Sequence, residues 1–323
     1  TGPLWSEEVP LPENHRRLFT HEPGTEGSEA ATRKVLHDFV SRAYRRPVRP
    51  DELDKLANLV QRVRPIEPQW EEAVKIGLRA ALVSPHFLYR IEALAAPDDT
   101  GTVVDLSEFA LASRLSYFLW SSMPDAQLLE RASKNELRAS LASEIKRMIA
   151  DPKARELARN FGGQWLETRN LDLVRPNRKK FNWDEELRRA MQAETEEFFR
   201  FLLVENRSVL EFLSADYTFV NERLARHYGL EGVQGEELQK VQLDPARRRG
   251  LLTQAAVLTV TSDPTRTSPV KRGKWVLENL LGTPPPPPPP QFANHQYPPK
   301  INRTQRPPNG QKPHQSTLGQ IPG

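Results

Sequence analysis

The sequence predicts an all-α fold: roughly a dozen helices in one or two packed helical units, with a polyproline rod and a disordered C-terminal tail. Three observations predict it. Apolar residues recur at i, i+3, i+4 spacing along most of residues 28–283, strict alternation is rare, and Pro or Ser stands where the periodic runs begin.

Residues 1–27 form an irregular N-terminal segment. Ala31, Val35, Leu36, Phe39, Val40, Ala43 and Tyr44 then make one stripe of about four turns that Pro47 stops. Pro50 opens a helix carrying Leu53, Leu56, Val60 and Val63, and Pro68 opens another through Trp70, Ala73, Val74, Leu78 and Ala81. Ser84 before Pro85 is an N-cap with proline at the first helical position. It predicts a restart with Phe87, Leu88 and Ile91 on one face. These elements make a small N-terminal helical domain over 28–95.

A central helical domain over 103–231 opens with Leu106, Phe109, Ala110, Leu115, Phe118 and Leu119, a mostly buried helix broken at Ser121 to Pro124. Helices follow around Leu128 to Arg131, Leu137 to Ala150 and Pro152 to Thr168. A long one near Asp184 to Glu205 carries Leu187, Met191, Phe198, Phe201 and Leu202. Asp216 to His227 reads as a short capped helix ended by Gly229. Pro245 to Thr261 and Pro269 to Leu281 form a C-terminal helical pair over 243–283 joined by a Ser/Thr/Arg loop.

Charge and proline mark a different regime beyond Thr283. The chain has 46 Lys plus Arg, 42 Asp plus Glu and a pI near 9.3, which invites a nucleic-acid reading. Lys300, Arg303, Arg306 and Lys312 account for the whole excess, because Pro284 to Gly323 holds no acid. The body is neutral, so nucleic-acid binding is not expected. Thirteen of the 29 prolines fall in the same forty residues. Seven consecutive ones, 284–290, form a polyproline II linker, and residues 291–323, rich in Gln, Asn and Pro, read as disordered.

The absence of Cys removes disulfides, thiolate nucleophiles, Cys-ligated zinc and covalent haem attachment from this chain. The longest nearly apolar run, Leu251 to Val260, is about half of a membrane span, so no transmembrane segment is expected. The chain opens at Thr1 rather than Met, as a fragment or processed product does. Gly-x-Ser-x-Gly, Walker, His-Glu-x-x-His and Glu-x-x-His signatures are absent. Glu194, Glu196 and Glu197 face Arg188, Arg189 and Arg200 at helical spacings, which reads as a solvated, salt-bridged face rather than a metal site.

The most unusual run lies between Thr261 and Trp275. Ser268 and Pro269 start a helix whose first N–H groups favour an anion, with Arg266, Thr267, Lys271, Arg272 and Trp275 close by. The alternative is a loop whose bases hold neighbouring carboxylates. His86, near a helix start, and His227, at a helix end, are weaker candidates for a ligand or metal, against roles as cap or surface residues. Asp125 and Asp263 are the acids a carboxylate-dependent hydrolase would use, but no paired acid supports them.

Several runs then carry a family resemblance. Ala43-Tyr44-Arg45-Arg46-Pro47, Leu82-Val83-Ser84-Pro85-His86-Phe87-Leu88-Tyr89-Arg90 and Leu115-Ser116-Tyr117-Phe118-Leu119-Trp120-Ser121-Ser122-Met123-Pro124-Asp125 resemble one group of proteins. Ala215-Asp216-Tyr217-Thr218-Phe219-Val220-Asn221, Leu251-Leu252-Thr253-Gln254-Ala255 and the run from Asp263 to the proline rod do likewise. They are similar to the helical domains of unknown function 1595, 1592 and 1588, in tandem, of planctomycete-type multi-domain cytochrome-c-associated proteins. The resemblance spans roughly Leu18 to Pro290.

The resemblance implies an extracytoplasmic, periplasmic or cell-envelope protein with a cytochrome domain upstream and a Cys-x-x-Cys-His segment after the rod. Both are missing from this chain. Haem c is implied for the full-length family only, and this chain itself is expected to carry no cofactor and no metal. Loss of acids, of helical periodicity and of similarity after Pro290 reads as a truncated or frame-shifted end.

The expected function is a helical accessory region that scaffolds or binds a cytochrome domain or redox partner, in an electron-transfer setting, without a complete catalytic site. An anion- or carbohydrate-binding module using the 263–275 loop is the alternative, and a carboxylate-dependent hydrolase the third reading.

Overall fold

The structure, a computed structural model, describes residues 12–24, 27–90 and 105–286. The expectations for Ile91, for most of the irregular segment 1–27, for the end of the proline run and for the tail 291–323 lie outside the described residues. Two compact units divide the chain, one ending at Arg272 and one beginning at Gly273.

α1 (Glu13–Leu18) leads into α2 (Gly27–Ala43), α3 (Pro50–Val63) and α4 (Trp70–Leu82). α2, α3 and α4 pack on one another around Val35, Leu36, Ala57, Val60, Ala73, Val74 and Leu78, the apolar stripes expected from spacing. Pro50 occupies the first position of α3, and the Glu52 carboxylate accepts the Arg49 N–H at 3.0 Å.

Ser84 caps α5 (Pro85–Leu88) by accepting the His86 N–H, but the helix stops after one turn. Arg45, at φ 59°, sends its guanidinium to the carbonyls of His86 (2.7 Å) and Tyr89 (3.0 Å). Those acceptors are therefore satisfied by a side chain instead of by a further helical turn. Phe87 and Leu88 are exposed at 36% and 60%, so these two apolar side chains are not buried by the turn.

Side-chain caps set the central helices. Ser107 caps α6 (Glu108–Trp120), Asp125 caps α7 (Ala126–Ser133), and α8 (Leu141–Ala150) begins four residues later than the periodicity indicated. They share a core of Ala112, Leu119, Trp120, Leu128, Leu137, Met148 and Leu157. The Trp120 indole N–H donates to the Met148 carbonyl at 2.9 Å. α6 is less buried than expected, because Phe118 is 57% exposed.

The helix expected over Pro152 to Thr168 is subdivided into a 3₁₀ turn Pro152–Ala154, α9 (Arg155–Leu157), a π turn Ala158–Gly162 and α10 (Gly163–Trp165). Two adjacent glycines weaken the regular ladder there, and Glu167 at φ 58° ends it before a 3₁₀ turn Thr168–Asp172.

After α11 (Arg178–Phe181) comes α12 (Glu185–Val204), the spine of the first unit, capped by Asp184 through the Leu187 N–H at 2.6 Å. It buries Leu187, Ala190, Met191, Glu194, Thr195, Phe198, Phe199 and Leu202. Of the solvated, salt-bridged face expected for Glu194, Glu196 and Glu197, the Glu197–Arg200 pair forms at 2.6 Å on a largely buried carboxylate, Glu196 accepts from Gln192 instead of an arginine, and Glu194 is fully enclosed.

α13 (Glu211–Ser214) precedes a departure from the all-helical reading. Tyr217–Val220 is a strand, β1, and only Glu222–Tyr228 is helix, α14, capped by Asn221 and ended by Gly229 at φ 70°. β1 pairs antiparallel with β2 (Gln239–Gln242), Tyr217 opposite Gln242 and Val220 opposite Gln239. All four β1 residues are buried on both faces, so no alternation exposes the strand in sequence. The fold remains predominantly helical, with this ribbon as its sheet.

Gly250 turns the chain at φ 54°, where a Cβ would stand 2.5 Å from the Phe212 carbonyl oxygen. A 3₁₀ turn Leu251–Thr253 and α15 (Ala255–Val260) follow, shorter than the helix expected from Pro245. α16 (Pro269–Trp275) continues into a π turn Val276–Leu280, close to the expected span.

Candidate functional site

The loop before α16 is held by its own charges. Asp263 accepts Lys271 Nζ at 2.5 Å and Arg266 Nε at 3.4 Å, and the Lys271 hydrogen bond chiefly holds its carboxyl below the ordinary range. Its N–H donates to the Arg266 carbonyl at 2.9 Å, closing a tight turn. Asn177 N–H donates to the Pro264 carbonyl (2.9 Å) and Lys180 Nζ to the Thr265 carbonyl (2.7 Å), which fastens the loop to α11. Ser268 Oγ accepts the Lys271 N–H at 3.4 Å, so the expected cap is present and the start of α16 is closed by its own chain.

Arg272 differs from its neighbours. Its Nε lies 3.3 Å from Thr261 Oγ1 and its Nη2 3.4 Å from Thr267 Oγ1, with no carboxylate partner among the described residues. It lines a cleft of about 350 Å³ with His227, Ser262, Asp263, Arg266 and Thr267 at the rim. Val174, Pro176, Phe181, Trp183, Met191 and Leu258 supply an apolar floor. Burial, then the charges of Arg223 and Arg248, lower the His227 pKa, so its imidazole is neutral near pH 7.

The structure thus brings Arg266, Thr267, Arg272, Asp263 and His227 together. Lys271 is turned onto Asp263 and does not line the cleft, and Trp275, buried, falls in the second unit. His86 lies elsewhere, with Nε2 3.3 Å from Glu52 Oε1 and its ring 5.3 Å from Tyr44. Asp125 caps α7 and pairs with Arg147 at 2.8 Å, an arrangement that explains it without chemistry.

Sequence reasoning missed the floor residues Phe181 and Trp183, which sit in a stretch without periodicity. It also misread Glu194 as part of a solvated face. Thr218 Oγ1 and Tyr228 Oη each donate to this carboxylate at 2.6 Å, and desolvation pushes its pKa up to about 7.

Three family models match in chain order. Residues 31–92 match PSD5, protein of unknown function (DUF1595); residues 106–230 match PSD4, protein of unknown function (DUF1592); and residues 248–317 match PSCyt3, protein of unknown function (DUF1588). The chain is a DUF1595–DUF1592–DUF1588 tandem. This is the domain arrangement of planctomycete cytochrome-c-associated proteins, and no cytochrome domain is matched. No curated protein and no solved structure matches the tandem.

The third match corrects one expectation. Similarity to the family does not end at Pro290 but runs through the proline run to residue 317. The 263–275 loop falls within that third domain, whereas His227 and the cleft floor up to Met191 fall within the second.

Haem c, implied by the arrangement, does not fit this chain: without Cys it offers no thioether attachment, and His86 Nε2 faces Glu52. Among the described residues no group of three or more His, Asp or Glu side chains is placed to hold a metal ion. No helix among them is long and apolar enough to cross a membrane.

Proposed function

We propose that the tandem is a helical accessory region of an extracytoplasmic, cytochrome-linked protein, and that its own contribution is binding rather than catalysis. The ordered set of three family matches supports the accessory role, with a cytochrome domain or redox partner as the associate and electron transfer as the setting. The cleft at Arg272 supports the binding role, and one observation carries it: a guanidinium without a carboxylate partner among the described residues lines one cleft with apolar side chains that include Trp183. That pairing suits a small ligand with an anionic head and a flat apolar body. His227, neutral near pH 7, adds a hydrogen-bonding group at the rim.

Calorimetric titration with benzoate, next to acetate and neutral oligosaccharides, tests this reading. Saturable benzoate binding that weakens about tenfold or more in Arg272→Gln is the expected result. Arg266→Ala should change it little, since Arg266 is spent on Asp263. Oligosaccharide binding instead would favour a carbohydrate module, and no saturable binding would leave the loop purely structural. Haem staining of the full-length parent tests the accessory role, and a parent without haem would refute it.

The hydrolase reading gains no support from the geometry. Asp263 is salt-bridged and held ionised, Asp125 caps a helix, and Glu194, the carboxyl with the raised pKa, is sealed from solvent.

A further inference from the structure

A second cavity lies where the end of α2, the exit of α5 and the first half of α6 meet. It measures about 430 Å³ and is lined by Arg45, Arg46, Arg90, Arg114 and His86, and the described residues of its wall include no carboxylate.

Arg45 and Arg46 meet different kinds of partner. Arg46 is offset by Glu52 through two hydrogen bonds at 2.7 and 2.9 Å. That carboxylate is already shared with Arg49 at 3.0 Å and His86 Nε2 at 3.3 Å, so it has nothing left for further cations. Arg45 is only 6% exposed, and its acceptors are neutral: the carbonyls of His86, Phe87 and Tyr89 and the Tyr117 hydroxyl. No carboxylate pairs with it among the described residues.

Arg45 and Arg90 also share one ring, with their guanidinium carbons 5.8 and 4.8 Å from the Tyr117 centroid. The aromatic ring stabilises each cation, and both cations line the same cavity, one of them buried. An anion in the cavity that both residues line is attracted by both charges; Arg90 can present its fork to a tetrahedral oxyanion, while Arg45, whose Nη groups are bonded to carbonyls and to the Tyr117 hydroxyl, adds its charge and its Nε–H.

We infer that the Arg45–Arg90 cavity is a binding site for a doubly charged tetrahedral oxyanion, phosphate or sulfate, free or as a monoester. The site stands apart from the Arg272 cleft, and its occupancy does not depend on what that cleft binds. Guanidinium groups keep their charge across the working range, so affinity follows the charge of the ligand. Phosphate binding should strengthen as pH rises through its second ionisation, at about 6–7, while sulfate binding stays flat.

The test is calorimetric titration of the intact chain with inorganic phosphate, sulfate, phenyl phosphate and acetate at equal, low ionic strength. One saturable site for phosphate and sulfate, with acetate at least tenfold weaker, is expected. Arg90→Gln, an exposed substitution whose fold is to be checked by circular dichroism, should weaken phosphate at least fivefold, whereas Arg272→Gln should not. Phenyl phosphate binding as well as phosphate would extend the site to esters; exclusion of it would confine the site to the free ion. Absence of a saturable phosphate isotherm, equal binding of acetate, or unchanged affinity in Arg90→Gln would each overturn the assignment.

Discussion

The Tyr228 hydroxyl donates to Glu194 at 2.6 Å while accepting the Ala255 backbone N–H at 2.7 Å, so one phenol ties α12, α14 and α15 together. Arg248 lies 3.9 Å over the centre of the same ring, and Thr218 serves the other Glu194 oxygen. The network crosses the heart of the first unit and rests on a carboxyl that is wholly enclosed.

Glu194 makes folding sensitive to mildly acidic pH in an unusual direction. Desolvation raises its pKa from 4.5 to about 7, so the folded chain holds a proton that the unfolded chain has released. Stability from this group is therefore present below pH about 4.5 and is lost as pH climbs to about 7, by on the order of 2–3 kcal/mol. Urea midpoints at pH 5, 6 and 7.5 should show the decline, and Glu194→Gln should flatten it. A wild-type profile that rises over this interval refutes the account. Tyr228→Phe, which strands the Ala255 N–H, should cost about 1–3 kcal/mol at every pH.

Glu52 acts with the opposite sign. Its hydrogen bonds with Arg46, opposed by partial desolvation, hold its pKa at about 2, below the ordinary 4.5. Its contribution is complete above pH about 4.5 and disappears as pH falls toward 2. Glu52→Gln should cost about 2 kcal/mol at pH 7 and little at pH 2.5, measured by chemical denaturation. Equal losses at the two pH values would show that the ion pair is not the cause.

Gly250 leaves no room for a side chain. Because a Cβ there would sit 2.5 Å from the Phe212 carbonyl and 2.7 Å from the Leu213 carbonyl carbon, Gly250→Ala must move backbone. The expected loss is about 2 kcal/mol or more, well beyond the entropic gain that alanine usually brings. Thermal unfolding would reveal it as a lowered midpoint, and an unchanged midpoint would contradict the close approach.

Much of this was legible in sequence because local rules act locally. Ser84 caps a helix as its type and Pro85 indicate, the long helix starts beside Asp184 where the spacing put it, and the stripe from Ala31 to Tyr44 packs as its spacing indicates. The failures share a cause in contacts between distant residues. α5 ends early because Arg45 reaches it from 41 to 44 positions away, and β1 exists because Lys240 and its neighbours pair with a segment whose own pattern is ambiguous. Glu194 read as surface because charge spacing along one helix says nothing about what Thr218 and Tyr228 bring to its other side. The cleft was half legible: Arg266, Thr267 and Arg272 stood out as a run, but the aromatic floor beneath them is set by tertiary packing.

The reach of Arg45 also bears on the order in which the chain assembles. Its bonds to the His86 and Tyr89 carbonyls close a loop of about forty residues, and the entropy of that closure is already met once α2, α3 and α4 have docked. On this reasoning the guanidinium fastens the segment leaving α5 onto an existing three-helix nucleus, as a late step. Arg45→Lys, with one ammonium in place of a fork, should accordingly speed unfolding while leaving the refolding rate nearly unchanged, the kinetic mark of a latch set after the nucleus forms.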